Sequence, residues 1–232
     1  MGYTMNEQSS ANSIQLSQQV NESRQLNYVS LNGSIYILGD FDRKSMNELI
    51  GHISNMIQEL PITPKYTAKG TITSPYDTTG IKNPIIDIYI DSNGGDTNML
   101  RDISTLLNIA KSRGAIIRTT VLSRAYSCGS MLAIQGTPGF RIMSTDATHM
   151  IHFGSINMLA QSEQMLDHLA AHNKEIKKQT HSKYAIYTKL PKKEIQRLTT
   201  TEGEFLNAQK CLEYGLCDWL IGENGVLTGR TR

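Results

Sequence analysis

The sequence predicts an α/β domain built from βαβ units on a parallel sheet. Three observations carry this. Ile85-Ile86-Asp87-Ile88-Tyr89-Ile90 is an apolar run of strand length. Met99 to Lys111 then sets Leu100, Ile103, Leu106, Leu107 and Ala110 on one helical face. After Gly114, Ala115 to Leu122 is a second β-rich run. Strand, helix and strand at this length form a right-handed crossover onto a parallel sheet.

The remaining elements follow in chain order. Residues 1–25 are rich in Asn, Gln and Ser and hold too little apolar surface to offset their ordering entropy. They are expected to form a flexible tail or removable leader. The domain itself is expected over residues 26–222, with a short tail at 223–232. Tyr28-Val29-Ser30-Leu31 and Ser34-Ile35-Tyr36-Ile37-Leu38 read as strands around the turn dipeptide Asn32-Gly33. Asp42 to Leu60 reads as a helix, because Met46, Leu49, Ile50, Ile53 and Ile57 recur at three- and four-residue steps. Asp42 is its expected N-cap, and Pro61 stops it. Pro61 to Pro84 shows no sustained period and is expected to be an inserted surface loop.

Beyond the second β run, Met131 to Gln135 is expected to be a short apolar helix. Gly136-Thr137-Pro138-Gly139 is a turn, and Phe140 to Ser144 and Thr148 to Ile151 are short strands. Gln161 to Lys189 is a long polar helical stretch with only sparse apolar points, such as Met165, Leu169 and Tyr184. Glu194 to Leu198 adds one more turn. Asn207 to Tyr214 is a helix closed by Gly215, and Leu216 to Ile221 is the last strand.

Composition narrows the class of function. With 232 residues, 39% apolar and 19% charged, the chain suits a soluble globular domain. A net charge of +2 is too small to argue for a nucleic-acid or anionic-membrane partner, and neither is expected. No apolar run approaches the ~20 residues that span a bilayer. Cys128, Cys211 and Cys217 are odd in number and lack metal-ligand spacing, so reduced thiols are expected.

Ser127 lies in Arg124-Ala125-Tyr126-Ser127-Cys128-Gly129-Ser130-Met131, a small-residue cluster after the second β run. That position fits a helix N-cap as readily as a nucleophile. It also aims a hydroxyl at the strand ends, where open α/β sheets build their sites. Ser130 is the fallback nucleophile, almost one helical turn further in. His152 follows Ser127 by 25 positions and ends a short strand. His149, three residues earlier, faces the other side of that strand. Gly94-Gly95 follows the first buried strand and is either a tight turn or a close backbone approach to a ligand. A nucleophilic serine needs a base and N–H donors for the developing oxyanion. Ser127, His152, and the Gly95 and Cys128 backbone N–H groups would supply them.

These residues carry a resemblance. Asp91-Ser92-Asn93-Gly94-Gly95, Ala125-Tyr126-Ser127-Cys128-Gly129, Gly136, Arg141 and Met150-Ile151-His152 resemble the proteolytic subunit of the Clp protease family, as do Phe205-Leu206-Asn207-Ala208, Glu213-Tyr214-Gly215-Leu216 and Asp218. The resemblance implies a crotonase-like α/β fold with the long polar helix as a protruding handle. It implies two stacked seven-membered rings of this chain, with Glu22 to Leu31 near the axial entrance. It also implies a serine endopeptidase acting on unfolded polypeptides, in the cytoplasm or an organelle stroma or matrix. The chain itself would need no metal or cofactor. ATP would be used by a ring-shaped AAA+ unfoldase of the ClpX, ClpA or ClpC type.

One departure matters most. The family places its third triad member, an aspartate, two residues before the aromatic of the Phe-Leu element. That position is Gly203, and no aspartate occurs between Asp167 and Asp218. A carboxylate there fixes the tautomer of the base, and losing it can cost around four orders of magnitude in rate. Glu202 is the acid expected to stand in, ahead of Glu204. An inactive ring subunit that assembles with active ones is the alternative. An acyl-CoA enzyme on the same fold is a third reading, against which the Ser127 and His152 pairing argues.

Overall fold

The computed structural model describes residues 28–31, 34–67, 72–153, 162–200 and 202–229. The expected N-terminal tail and the Asn32-Gly33 turn lie outside them. Strands β1 (Tyr28–Leu31) and β2 (Ser34–Ile37) pair antiparallel, as the flanking patterns predict. Helix α1 (Arg43–Glu59) starts where Asp42 Oδ1 accepts the Ser45 N–H at 3.0 Å. Strand β3 (Ile85–Ser92) alternates buried and half-covered residues along its whole length. Helix α2 (Thr97–Ser112) is capped by Asp96, whose carboxylate accepts the Asn98 N–H at 2.8 Å.

Strand β4 (Ile116–Tyr126) positions the site. It runs four residues past the expected end at Leu122. Its middle, Thr119 to Val121, pairs parallel with β5 (Arg141–Ser144). Its end, Arg124 to Tyr126, pairs parallel with β6 (Thr148–Ile151). The sheet therefore forks at β4, and the fork brings the end of β6 beside the residue that follows Tyr126. Helix α3 (Cys128–Ala133) begins one residue later, three residues earlier than its apolar run suggests.

The long helix α4 (Glu163–Tyr187) and α5 (Lys192–Leu198) follow. Next come β7 (Glu204–Asn207), α6 (Ala208–Tyr214), β8 (Trp219–Ile221) and β9 (Leu227–Gly229). The sheet order is β1-β2-β3-β4-β5-β8-β9, with β6 and β7 branching from β4. From β2 to β8 neighbours are parallel, and both edge pairs are antiparallel.

Two strands were not expected. β7 pairs antiparallel with β6 and sets Gly203 against the end of β6. β9 pairs with β8, so 223–232 is not simply a tail. Both are three or four residues long, too short to show a period of two.

The core sits between the buried face of the sheet and α1 and α2, around Ile35, Ile88, Met46, Leu49, Ile103 and Leu107. Burying each such side chain stabilises the fold by about 1.5–3 kcal/mol. The described parts of the Pro61 to Pro84 segment carry no helix or strand, as expected. Asn83 holds the segment to the body through Nδ2, which donates to Pro64 O at 2.9 Å and to Gly114 O at 2.7 Å. Buried Arg141 joins β5 to the C-terminal ends of two helices. It forks onto Asp218 at 2.6 and 2.8 Å and donates to Tyr187 O and Gly215 O at 2.5 and 2.9 Å.

Candidate active site

Ser127 occupies the turn between β4 and α3. Its φ of 52° and ψ of −114° make it the only non-glycine residue with positive φ among the described residues. Such a conformation costs a side-chain-bearing residue about 1–3 kcal/mol, and strain of this kind gathers where a side chain must be aimed. The turn is held from both sides. Ser127 N–H donates to Met150 O at 2.9 Å, and Met131 N–H donates to Ser127 O at 3.0 Å. No side-chain cap bond is made by Ser127, so the N-cap alternative does not describe it. Its hydroxyl is aimed at the fork instead. There Ser127 Oγ lies 2.6 Å from His152 Nε2, and both side chains are half-buried.

The Gly94-Gly95 loop lies against the same turn. A Cβ at Gly94 would fall 2.6 Å from the Ser127 Cβ and 3.0 Å from the Cys128 backbone nitrogen. Only glycine lets the two backbones approach this closely. Gly95 is pinned to Phe41 in a parallel bridge. The bridging bonds run from Phe41 N–H to Gly94 O and from Asp96 N–H to Phe41 O, at 2.6 and 2.9 Å. The Cys128 thiol donates to Gly95 O at 3.1 Å. Burial pushes that thiol up to about 11, although the neighbouring Gly95 backbone and the Ser127 hydroxyl pull the other way. Cys128 is therefore a neutral side chain at neutral pH. What it offers the site is a hydrogen bond that ties the glycine loop to α3. Its identity in the sequence gave no signal of that bond.

Among the described residues, no acid is hydrogen-bonded to His152. Glu202 is exposed and makes no hydrogen bond to His152 among the described residues. Glu204, the second candidate, is engaged elsewhere, in an ion pair with Arg197. The backbone around Gly203 closes over the histidine. Phe153 N–H donates to Thr200 O at 2.9 Å, and a Cβ at Gly203 would fall 2.7 Å from the His152 Cβ. Ser130, the fallback nucleophile, is fully buried and points into the core.

A serine on a strained strand-to-helix turn, with a histidine in hydrogen-bond reach at the fork of a parallel sheet, defines a serine hydrolase arrangement on an α/β scaffold. The profile of one family, described as Clp protease, matches residues 79–224 and takes in both Ser127 and His152. The chain belongs to the Clp protease family, and its fold is the crotonase-like α/β fold of that family. No described helix is long and apolar enough to cross a membrane.

Proposed function

We propose that this chain is a serine endopeptidase whose working unit is a Ser127–His152 pair without an orienting carboxylate. The 2.6 Å contact between Ser127 Oγ and His152 Nε2, within a Clp protease family chain, carries this reading. Nε2 accepts the Ser127 proton as Oγ attacks the peptide carbonyl, so the neutral ring carries its proton on Nδ1. The Gly95 and Cys128 N–H groups hold the oxyanion of the tetrahedral intermediate. His152 then hands the proton to the leaving amine, and water releases the acyl group by the reverse sequence. Glu202 is exposed and is left outside this cycle.

The test is covalent labelling by a fluorophosphonate, with Ser127→Ala as control. Labelling of the wild type and not of the variant supports an activated serine. Equal behaviour of the two defeats the reading. Glu202→Gln is expected to leave the labelling rate unchanged, and a tenfold loss would put Glu202 back beside His152.

A second reading, an inactive subunit retained for assembly, is favoured by the missing carboxylate. A fluorogenic peptide cleaved no faster than by Ser127→Ala would select it.

The resemblance also suggests stacked rings of this chain fed by an AAA+ unfoldase, with ATP consumed by that partner. Helix α4 supports assembly: along most of its length few side chains are covered, and Leu166 and Ile186 are 58% and 71% exposed. A helix that leaves such apolar side chains open gains stability by meeting another surface. Cys128, Cys211 and Cys217 are buried and form no disulfide, which fits a reducing compartment such as cytoplasm, stroma or matrix. Native mass measurement giving only monomer would remove the ring proposal.

A further inference from the structure

Ser127 and His152 are not the only serine–histidine contact where α3 meets β6. Ser130 stands three residues further along α3, and His149 three residues earlier on β6. Ser130 Oγ lies 3.1 Å from His149 Nδ1 and 3.2 Å from Tyr184 OH. Their exposures are 0%, 0% and 1%, so the chain is sealed in the core. None of these groups takes part in the proton transfers above.

The network is costly to keep. His149 Nε2 has no partner among the described residues, and an unsatisfied buried polar atom costs about 1–3 kcal/mol. An apolar trio of the same shape would avoid that cost. Burial also keeps the His149 ring neutral, with its pKa down at about 3. It can therefore hold a hydroxyl in place without bringing charge into the core. No substrate can reach the trio, so a second nucleophile is excluded. What the trio does is tie three elements together: the helix that begins after Ser127, the strand that ends before His152, and the C-terminal part of α4. Helix α3 is only six residues long, and its seam with β6 is closed by the Ser127 N–H to Met150 O bond, the Ser127–His152 contact and this trio.

Resting on the serine peptidase reading, we propose that Ser130, His149 and Tyr184 are positioning residues. They fix α3 in register against β6 and so hold Ser127 Oγ on His152 Nε2, where other serine peptidases use a carboxylate behind the histidine. A misplacement of about 1 Å at such a pair can cost a hundredfold in rate.

The experiment compares the full-length wild type with Ser130→Ala, Tyr184→Phe and His149→Gln. It reads the fluorophosphonate labelling rate of Ser127, the His152 titration midpoint by nitrogen-15 NMR on histidine-labelled protein, and the melting temperature. Ser130→Ala is expected to slow labelling at least tenfold and to move the His152 midpoint. Tyr184→Phe, which removes one hydroxyl at the far end, is expected to do both to a smaller extent. His149→Gln keeps a polar group toward Ser130 and is expected to stay within threefold of wild type. A lower melting temperature with unchanged labelling and an unchanged His152 midpoint would reduce the trio to a packing feature and overturn the proposal. If Ser130→Ala fails to fold, Tyr184→Phe decides by the same criteria. If the wild type itself is not labelled, the peptidase reading fails, and the positioning claim is decided by the His152 midpoint alone.

Discussion

Gly203 is packed directly onto His152: a Cβ on the glycine would fall 2.7 Å from the Cβ of the histidine. The same atom would meet Ile151 O and Met150 Sδ, each at 2.9 Å, and the φ of Gly203 is +78°. The position where the resemblance puts a carboxylate is thus both left-handed and crowded by His152 and the end of β6. Glycine here is a structural commitment of the loop, not simply a deleted acid.

Restoring the family residue should therefore not restore a triad. Gly203→Asp is expected to destabilise the fold by about 2–4 kcal/mol, through backbone strain and overpacking against β6. It is also expected to lower the labelling rate of Ser127. Chemical denaturation and fluorophosphonate kinetics check this. A faster, equally stable variant would show that the loop adopts a second conformation able to present a carboxylate.

Strain at Ser127 gives a second measurement. Ser127→Ala and Ser127→Gly both lose the hydrogen bond to His152, so their difference isolates the backbone. With φ at 52°, the glycine variant is expected to be more stable than the alanine variant by about 1–3 kcal/mol. Near a helix start the ordinary preference between these residues is far smaller. Equal stabilities would mean that Ser127 relaxes out of this conformation in solution.

Acid should weaken the fold through His149. Burial lowers its pKa from 6.5 to about 3 in the folded chain, while the unfolded chain keeps the ordinary value. Between these two values the unfolded state binds a proton that the folded state refuses. Stability therefore falls as the pH drops below about 6.5, and the loss is complete only near pH 3. At about 1.4 kcal/mol per unit, the full loss is about 4–5 kcal/mol. His149→Gln should flatten the stability profile between pH 6 and pH 4. A slope identical to wild type would mean that His149 reaches solvent or finds a partner when protonated.

Asp218 should matter to folding more than to chemistry. It accepts two bonds from the Arg141 guanidinium and one from the Gly139 N–H at 2.7 Å. Asp218→Ala leaves the Arg141 charge buried with only carbonyl partners, and is expected to cost about 3–5 kcal/mol. Denaturant midpoints measure the loss. A change under 1 kcal/mol would show that Tyr187 O and Gly215 O are enough to satisfy the guanidinium.

Much of this protein was legible in the order of its residues. The βαβ unit, the capped helix after Asp42, the long polar helix and the helix closed by Gly215 all follow from period, caps and breakers. These are local signals, set within a turn or two of chain. Ser127, His152 and the Gly94-Gly95 pair were also legible, because each stands at the end of a strand whose pattern marks it. Tertiary structure alone decided the rest. β4 had to outrun its apolar pattern by four residues to reach β6, and β7 exists only because β6 offers it an edge. The partner of Cys128 and the buried chain through His149 depend on contacts between residues far apart in sequence. A side chain's type says what it can bond. Only the packing of distant segments says which partner it meets.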